Sequence, residues 1–113
     1  MQQEPPTRRK KMSNIIRGTT PTNIFNVNVD LTEAEDIIIS YAQKGNVVIN
    51  KMISDIDVTE EALSTTLTQT ETLKLDAAYN VEIQIRALFD DGTAIASDII
   101  SVDVGAILYE GVI

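Results

Sequence analysis

Carboxylate side chains are the residues of this 113-residue chain best suited to chemistry, and several of them occur in close pairs. The pairs are Asp55 with Asp57, Glu60 with Glu61, and Asp90 with Asp91. Oxygen-rich loops can bind calcium, but such a site needs six or more oxygens from a defined loop, and no EF-hand spacing is present. We therefore expect solvated turn acids and no metal site, and Asp91 followed by Gly92 is typical of a turn.

A pair of carboxylates could also act as acid and base in glycoside hydrolysis, with Glu82 or Asp98 as candidates. That chemistry takes place in a cleft lined by aromatic rings, whereas this chain has no Trp, two Phe and three Tyr. Residue alternation also places Glu82 on the wet face of a strand, outside the buried surroundings that a catalytic acid of this kind needs. The sequence disfavours a glycosidase.

Histidine and cysteine are both absent. Their absence removes the most common general base, the most common activated nucleophile, the usual zinc ligands and any disulfide. The five glycines are scattered, so there is neither a phosphate-binding loop nor a dinucleotide fingerprint. We predict a non-enzymatic protein without catalytic residues, metal or cofactor.

Charge is divided unequally along the chain. Residues 1–17 contain five of the nine basic side chains and one of the seventeen acids, whereas the remainder is strongly acidic. The five basic residues are Arg8, Arg9, Lys10, Lys11 and Arg17. They could contact phosphates, but the acidic body opposes the approach of a duplex, so nucleic acid is an unlikely partner. An arm that contacts an acidic protein surface fits the charge division better, because charge of one sign steers association.

Alternating apolar and polar residues predict a series of strands joined by turns. A short edge segment and turn are predicted over 15–22, a half-buried strand over 25–31, and an antiparallel hairpin from 37–43 and 47–53 around a turn at 44–46. Further strands are predicted within 54–58, over 63–67, over 79–89 near the middle of a sheet, and over 94–104 after a turn at 90–92. In that last strand Ala96, Ile100, Val102 and Val104 are expected to share one face.

Two capping boxes predict single-turn helices. Thr32 with Glu35 and Thr68 with Glu71 both have the required spacing of three residues. Leu73 and Leu75 are expected to fill the core beside the second turn.

Together these elements predict an all-β fold, an antiparallel immunoglobulin-like β-sandwich with one or two single-turn helices, and a small barrel is the alternative. We assign residues 1–15 to an extended basic N-terminal arm, 16–105 to the sandwich, and 106–113 to an apolar C-terminal tail. The chain contains no apolar run of membrane-spanning length, and its basic start is not followed by the hydrophobic region of a signal peptide. We therefore expect no membrane span and no export by that route.

Several phrases of the sequence support a family resemblance. They are Ile16-Arg17-Gly18-Thr19-Thr20-Pro21-Thr22, Leu67-Thr68-Gln69, Ala96-Ser97-Asp98, Val104-Gly105 and Glu110-Gly111-Val112-Ile113. In pattern and order, the chain resembles small single-domain proteins encoded in the structural gene blocks of tailed bacteriophages of Gram-positive bacteria. The basic arm is longer than the usual start of that group.

The resemblance implies a virion structural protein of immunoglobulin-like build, assembled in the host cytoplasm and most similar to tail or baseplate components. Capsid decoration is an alternative location, and a receptor- or glycan-binding module is the alternative from another class. The expected partners are other virion proteins or further copies of the chain, with binding through the ends. The predicted contact residues, besides the four basic residues at 8–11, are Ile15, Ile16, Arg17, Leu108, Tyr109, Val112 and Ile113.

Overall fold

The computed structural model describes residues 14–113, which form ten strands, one 3₁₀ turn and one short helix. The strands are β1 (Ile15–Ile16), β2 (Thr22–Asn26), β3 (Asp36–Gln43), β4 (Asn46–Met52), β5 (Asp57–Val58), β6 (Ala62–Thr66), β7 (Val81–Leu88), β8 (Ala94–Ala96), β9 (Ile100–Val102) and β10 (Val104–Gly105). The 3₁₀ turn is Ile53–Asp55 and the helix, α1, is Gln69–Leu73. No helix within these residues is long and apolar enough to cross a membrane.

Two open antiparallel sheets make up the fold. One has the order β4-β3-β7-β8, with β9 also paired to β7, and the other has the order β2-β6-β5. β1 and β10 form a separate parallel pair. β7 lies between β3 and the β8–β9 strands, which confirms its predicted place inside a sheet. The prediction of an antiparallel immunoglobulin-like sandwich is confirmed, and the sheets are open rather than closed into the alternative barrel.

The β3–β4 hairpin follows from its turn residues. Lys44 and Gly45 both have positive φ, 55° and 79°, as a two-residue turn that matches the twist of paired strands requires. The ladder then pairs Tyr41 with Ile49 and Ile39 with Lys51. The predicted hairpin is therefore confirmed.

α1 begins with the predicted capping box. The Thr68 hydroxyl accepts a hydrogen bond from the Glu71 N–H, and the Glu71 carboxylate accepts one from the Thr68 N–H at 2.9 Å. These two bonds satisfy backbone donors that the first helical turn leaves free. Thr72 is fully buried and its hydroxyl donates to the Thr19 carbonyl, so the short helix is fixed to the segment after β1.

The core lies between the two sheets and consists mainly of aliphatic side chains. β3 and β7 supply its largest share, because every second residue of each faces inward. Buried apolar residues from these two strands are Ile37, Ile39, Tyr41, Val81, Ile83, Ile85 and Ala87. Leu63 and Leu67 face them from the other sheet and its continuation.

The first predicted capping box is wrong, because no helix forms at Thr32. The Asp30 carboxylate instead accepts hydrogen bonds from the Thr32 N–H at 2.9 Å and from the Thr32 hydroxyl at 2.6 Å. This local turn competes with a helix start. It also follows the early end of β2, which is shorter than the strand predicted to Leu31 and leaves Val29 exposed.

The predicted single strand over 94–104 is interrupted. The Ser97 hydroxyl accepts a hydrogen bond from the Ile85 N–H and donates to the Asp98 carbonyl, which takes the place of regular ladder bonds. The inward positions consequently change from odd to even numbers across Ser97: Ile95 packs against the core before it, and Val102 and Val104 do so after it. Ile100 pairs with the buried Ile83 and so shares the face of Val102 and Val104 as predicted, although it is 40% exposed. Ala96 was wrongly predicted to share that face, because it pairs with the exposed Arg86 on the outer one.

Candidate interaction site

The predicted contact residues differ in how accessible they are. Arg8, Arg9, Lys10 and Lys11 lie outside residues 14–113, which are those that the structure describes. The Ile15 side chain is 1% exposed and belongs to the core, whereas Ile16 is 45% exposed. Of these two isoleucines, only Ile16 presents its side chain at the surface.

Arg17 connects three parts of the domain. Its Nε donates to the Leu75 carbonyl at 2.6 Å, and its Nη2 donates to the Leu73 carbonyl at 2.9 Å. Its Nη1 forms an ion pair with Glu110, and the arginine side chain is only 16% exposed. The planar guanidinium thus holds the end of α1 and the C-terminal segment together, a geometry that a lysine could not reproduce.

The C-terminal tail, residues 106–113, presents large apolar side chains to solvent. Leu108 and Ile113 are almost fully exposed, and Tyr109 and Val112 are exposed by 69% and 55%. The Ile113 N–H donates to Gln69 Oε1 at 2.9 Å, and Gln69 Nε2 donates to the Ile113 oxygen at 3.1 Å. The tail is therefore tethered by a few polar contacts while much of its apolar surface stays uncovered.

A second feature is the outer edge of β2. The Leu67 N–H donates to the Pro21 carbonyl, and the Val27 N–H donates to the Glu61 carbonyl. Pro21 and Val27 therefore both bond toward β6. Because bonding direction alternates along an antiparallel strand, the N–H and C=O groups of Thr22, Ile24 and Asn26 point away from β6. Within residues 14–113, no strand pairs with that edge.

We call the gap between this edge of β2 and the β8–β9 segment (Ile95–Val102) the open seam. It leads into a cavity of about 560 Å³, whose inner wall includes Phe25, Ile83 and Ile85. All of its lining residues are uncharged, although 23% of the chain is charged. The seam therefore suits an uncharged, largely apolar occupant.

A polar cluster beside α1 is structural rather than chemical in character. Lys51, 6% exposed, places Nζ 3.0 Å and 3.2 Å from the two carboxylate oxygens of Glu71. Burial alone would raise the pKa of Glu71, but hydrogen bonds from Thr68 and the ion pair with Lys51 together lower it. Every member has a partner, so the cluster has no free group to act on a substrate.

Tyr41 forms the corresponding polar contact inside the sandwich. Its hydroxyl donates to Asn23 Oδ1 at 2.7 Å, which joins β3 to β2. Burial, and to a smaller extent the negative charge of Glu71, raises the pKa of Tyr41. The ring is not available for stacking on a ligand because the residue has no exposed surface.

The paired acids considered in the sequence do not assemble into a site. Within residues 14–113, no three potential metal-ligating side chains lie together. Asp91 acts in its turn, where its carboxylate accepts a hydrogen bond from the Thr93 N–H at 2.9 Å and bonds to Thr93 lower its pKa. Glu82 and Asp98 are both exposed.

No protein-family model and no curated protein sequence matches the chain. Solved structures similar to the chain include the following two. One is a strand-swapped dimer of the immunoglobulin-like domain of mouse leukocyte-associated immunoglobulin-like receptor 1, with 10% identity over 80% of this chain and 84% of that chain and a TM-score of 0.46. The other is the V domain of amphioxus IgVJ-C2, with 13% identity over 81% and 98% and a TM-score of 0.36.

The open seam was missed in the sequence, although a signal for it is present. Residues 18–29 contain no charged side chain, an unusual run in this chain. Edge strands commonly carry charged side chains that prevent pairing with another strand. A run without charge on both faces of an edge strand therefore indicates an edge that is open to pairing.

Proposed function

We propose that this chain is a non-enzymatic structural component of a tailed-bacteriophage virion, most consistent with a tail or baseplate position, that assembles through its ends. The observation that carries the proposal is the C-terminal tail, in which Leu108, Tyr109, Val112 and Ile113 are exposed together. Several large apolar side chains exposed within one short segment of a folded domain indicate a binding site. The sequence resemblance supplies the virion context.

The polar clusters are consistent with a structural role. The Lys51–Glu71 pair and the Tyr41–Asn23 hydrogen bond each connect secondary-structure elements. Asn23 lines the cavity, but its side-chain oxygen is occupied by the Tyr41 hydroxyl. The receptor or glycan module has less support, because Tyr41 is buried and Tyr79 has the Lys44 ammonium 4.6 Å from its ring centre.

Cryo-electron microscopy of purified particles from the source phage tests the proposal. We expect density for residues 14–113 in the tail or baseplate, with the C-terminal tail covered by a neighbour. Density on the capsid lattice would assign the chain to decoration of the head instead. Absence from intact particles would overturn the virion proposal.

The contribution of the basic arm is tested separately. Replacing Arg8, Arg9, Lys10 and Lys11 with Gln should reduce incorporation into particles, more strongly at low ionic strength, because salt screens the steering charge that the replacement removes. The matched control replaces Lys44 and Lys74, exposed basic residues of the body, with Gln. Equal incorporation of both variants would remove the arm from the proposal.

A further inference from the structure

We infer that the open seam receives the C-terminal tail of a second copy of this chain as an added β-strand. The inference deepens the proposed assembly role and rests on it for the context of assembly. It joins two observations that are otherwise separate, an unpaired strand edge beside an apolar cavity and an exposed apolar strand-length segment.

The backbone of the seam sets the type of occupant. Thr22, Ile24 and Asn26 each direct an N–H and a C=O outward from β2. A small apolar molecule could fill the cavity but could not bond to these groups. An extended peptide can do both, because its backbone pairs with the edge while alternate side chains enter the cavity.

Charge selects which segment of the chain fits. The cavity lining contains no charged residue, and Asn26 and Asn28 are among its polar members. The N-terminal residues 1–13 include four basic side chains and one acid, so their insertion would bury charge without a partner. The C-terminal tail contains one acidic side chain, Glu110, and is otherwise mostly apolar.

The alternation of the tail matches the two environments beside β2. Ile107, Tyr109, Gly111 and Ile113 share one face of an extended strand, and that face contains no charge. Leu108 and Val112 would then lie on the outer face, where Ile24 is 67% exposed. Eight extended residues reach about 26 Å, longer than the roughly 17 Å of a five-residue strand such as β2.

The tail belongs in the seam of another copy rather than its own. In its own domain the tail continues from β10 toward Arg17 and Gln69, neither of which lines the cavity. Reciprocal donation between two copies would close a two-fold dimer, whereas donation in one direction would generate rings or open chains.

Cysteine cross-linking tests this arrangement directly, because the chain has no natural cysteine. Full-length Ile24→Cys or Asn26→Cys protein is mixed with full-length Leu108→Cys or Val112→Cys protein under mild oxidation. The control receiver is Asp57→Cys, an exposed residue on β5 at the opposite edge of the same sheet. We expect at least one seam–tail pair to cross-link about tenfold faster than control pairs, because strand pairing raises the effective concentration of the two thiols.

Other cross-linking results would overturn the inference or separate it from the proposed function. Cross-linking of Ile24→Cys protein mainly to itself would show that two β2 edges pair and would overturn the inference. Equal rates with Asp57→Cys, or no seam–tail product at the highest soluble concentration and in particles, would also overturn it. If the chain is nevertheless present in particles, the inference fails while the proposed function stands. If the seam–tail product forms but the chain is absent from particles, the inference stands and the proposed function fails.

A labelled peptide of residues 106–113 provides a measurement that requires no substitution. We expect saturable binding to the full-length chain by fluorescence anisotropy, at least tenfold tighter than binding of a scrambled peptide of the same composition, because only the native order separates the two faces. Equal binding of both peptides would overturn strand addition. Failure of excess unlabelled native peptide to displace the labelled peptide would do the same.

Discussion

Lys51 and Glu71 form a largely buried ion pair that joins β4 to α1, with Nζ 3.0 Å from Oε1. The same carboxylate accepts the Thr68 N–H, so one side chain both caps the helix and neutralises a buried ammonium. The predicted capping box and the ion pair with Lys51, which the sequence did not predict, therefore share the Glu71 carboxylate. The position of α1 depends on this group.

Glu71→Gln should lower the free energy of unfolding by about 2 kcal/mol, because it leaves the Lys51 ammonium buried without an opposite charge. The expected loss is smaller than for a fully buried pair, since the Glu71 side chain is 23% exposed. Urea denaturation measures it. Glu82→Gln, on an exposed strand position, is the control and should change stability by less than about 0.5 kcal/mol. Recovery of stability in the Lys51→Met, Glu71→Gln double variant would confirm the cause, and a further loss would contradict it.

The same carboxylate predicts an acid-dependent loss of stability. Its pKa is lowered in the folded protein relative to the ordinary value of 4.5, so near and below that pH the unfolded chain binds more protons than the folded chain. The contribution of Glu71 is therefore complete above the ordinary pKa and is lost as pH falls through the lowered one. The stability difference between wild type and Glu71→Gln should shrink as the pH falls from about 6 to about 3. A difference that stays constant would contradict this account.

Much of the fold could be predicted from local patterns. Alternation identified β7 because its inward residues face a dry core and its outward residues face water or a neighbouring side chain. β3 was predicted instead from the apolar run Ile37–Ile39 and the turn that follows Gln43. The Lys44-Gly45 turn and the Thr68–Glu71 capping box were predictable because each depends on residues close in sequence. The prediction of a helix at the Thr32–Glu35 box failed because another residue close in sequence competes for Thr32. The Asp30 carboxylate, two residues earlier, accepts hydrogen bonds from both the N–H and the hydroxyl of Thr32.

The candidate site was less predictable because it depends on distant pairings. The exposed tail residues could be inferred from an apolar sequence beyond the last long strand. The open seam could not, because an unpaired β2 edge is a property of sheet order rather than of Thr22–Asn26 alone. The role of Arg17 also depends on carbonyls of Leu73 and Leu75, more than fifty residues away.

Two glycines with similar backbone conformation should respond differently to alanine. Gly18 and Gly45 have φ of +75° and +79°, and in both an added Cβ strains the backbone. At Gly45 nothing lies within 4 Å, whereas at Gly18 the Cβ would lie 2.8 Å from Cδ1 of Ile107. Gly45→Ala should therefore cost about 1 kcal/mol through strain alone, and Gly18→Ala should cost somewhat more because the end of the Ile107 side chain, at the start of the tail, must also move. Chymotrypsin cleavage at Tyr109 measures the displacement, and equal cleavage rates in the two variants would exclude a link between Gly18 and the tail.

Arg17→Lys should destabilise the domain by about 1–2 kcal/mol although it preserves charge, because an ammonium cannot bond to the Leu73 and Leu75 carbonyls and to Glu110 in one plane. Thermal denaturation of this variant and of Glu110→Gln separates the contribution of the two carbonyl bonds from that of the ion pair with Glu110. Glu110 is 59% exposed, so its loss should cost less than about 0.5 kcal/mol. Arg86→Lys, at an exposed position on β7, is the matched control for the substitution itself and should be close to neutral. If Arg17→Lys is also neutral, the guanidinium does not hold α1 and the tail together, and the exposed tail must be fixed by its contacts with Gln69 instead.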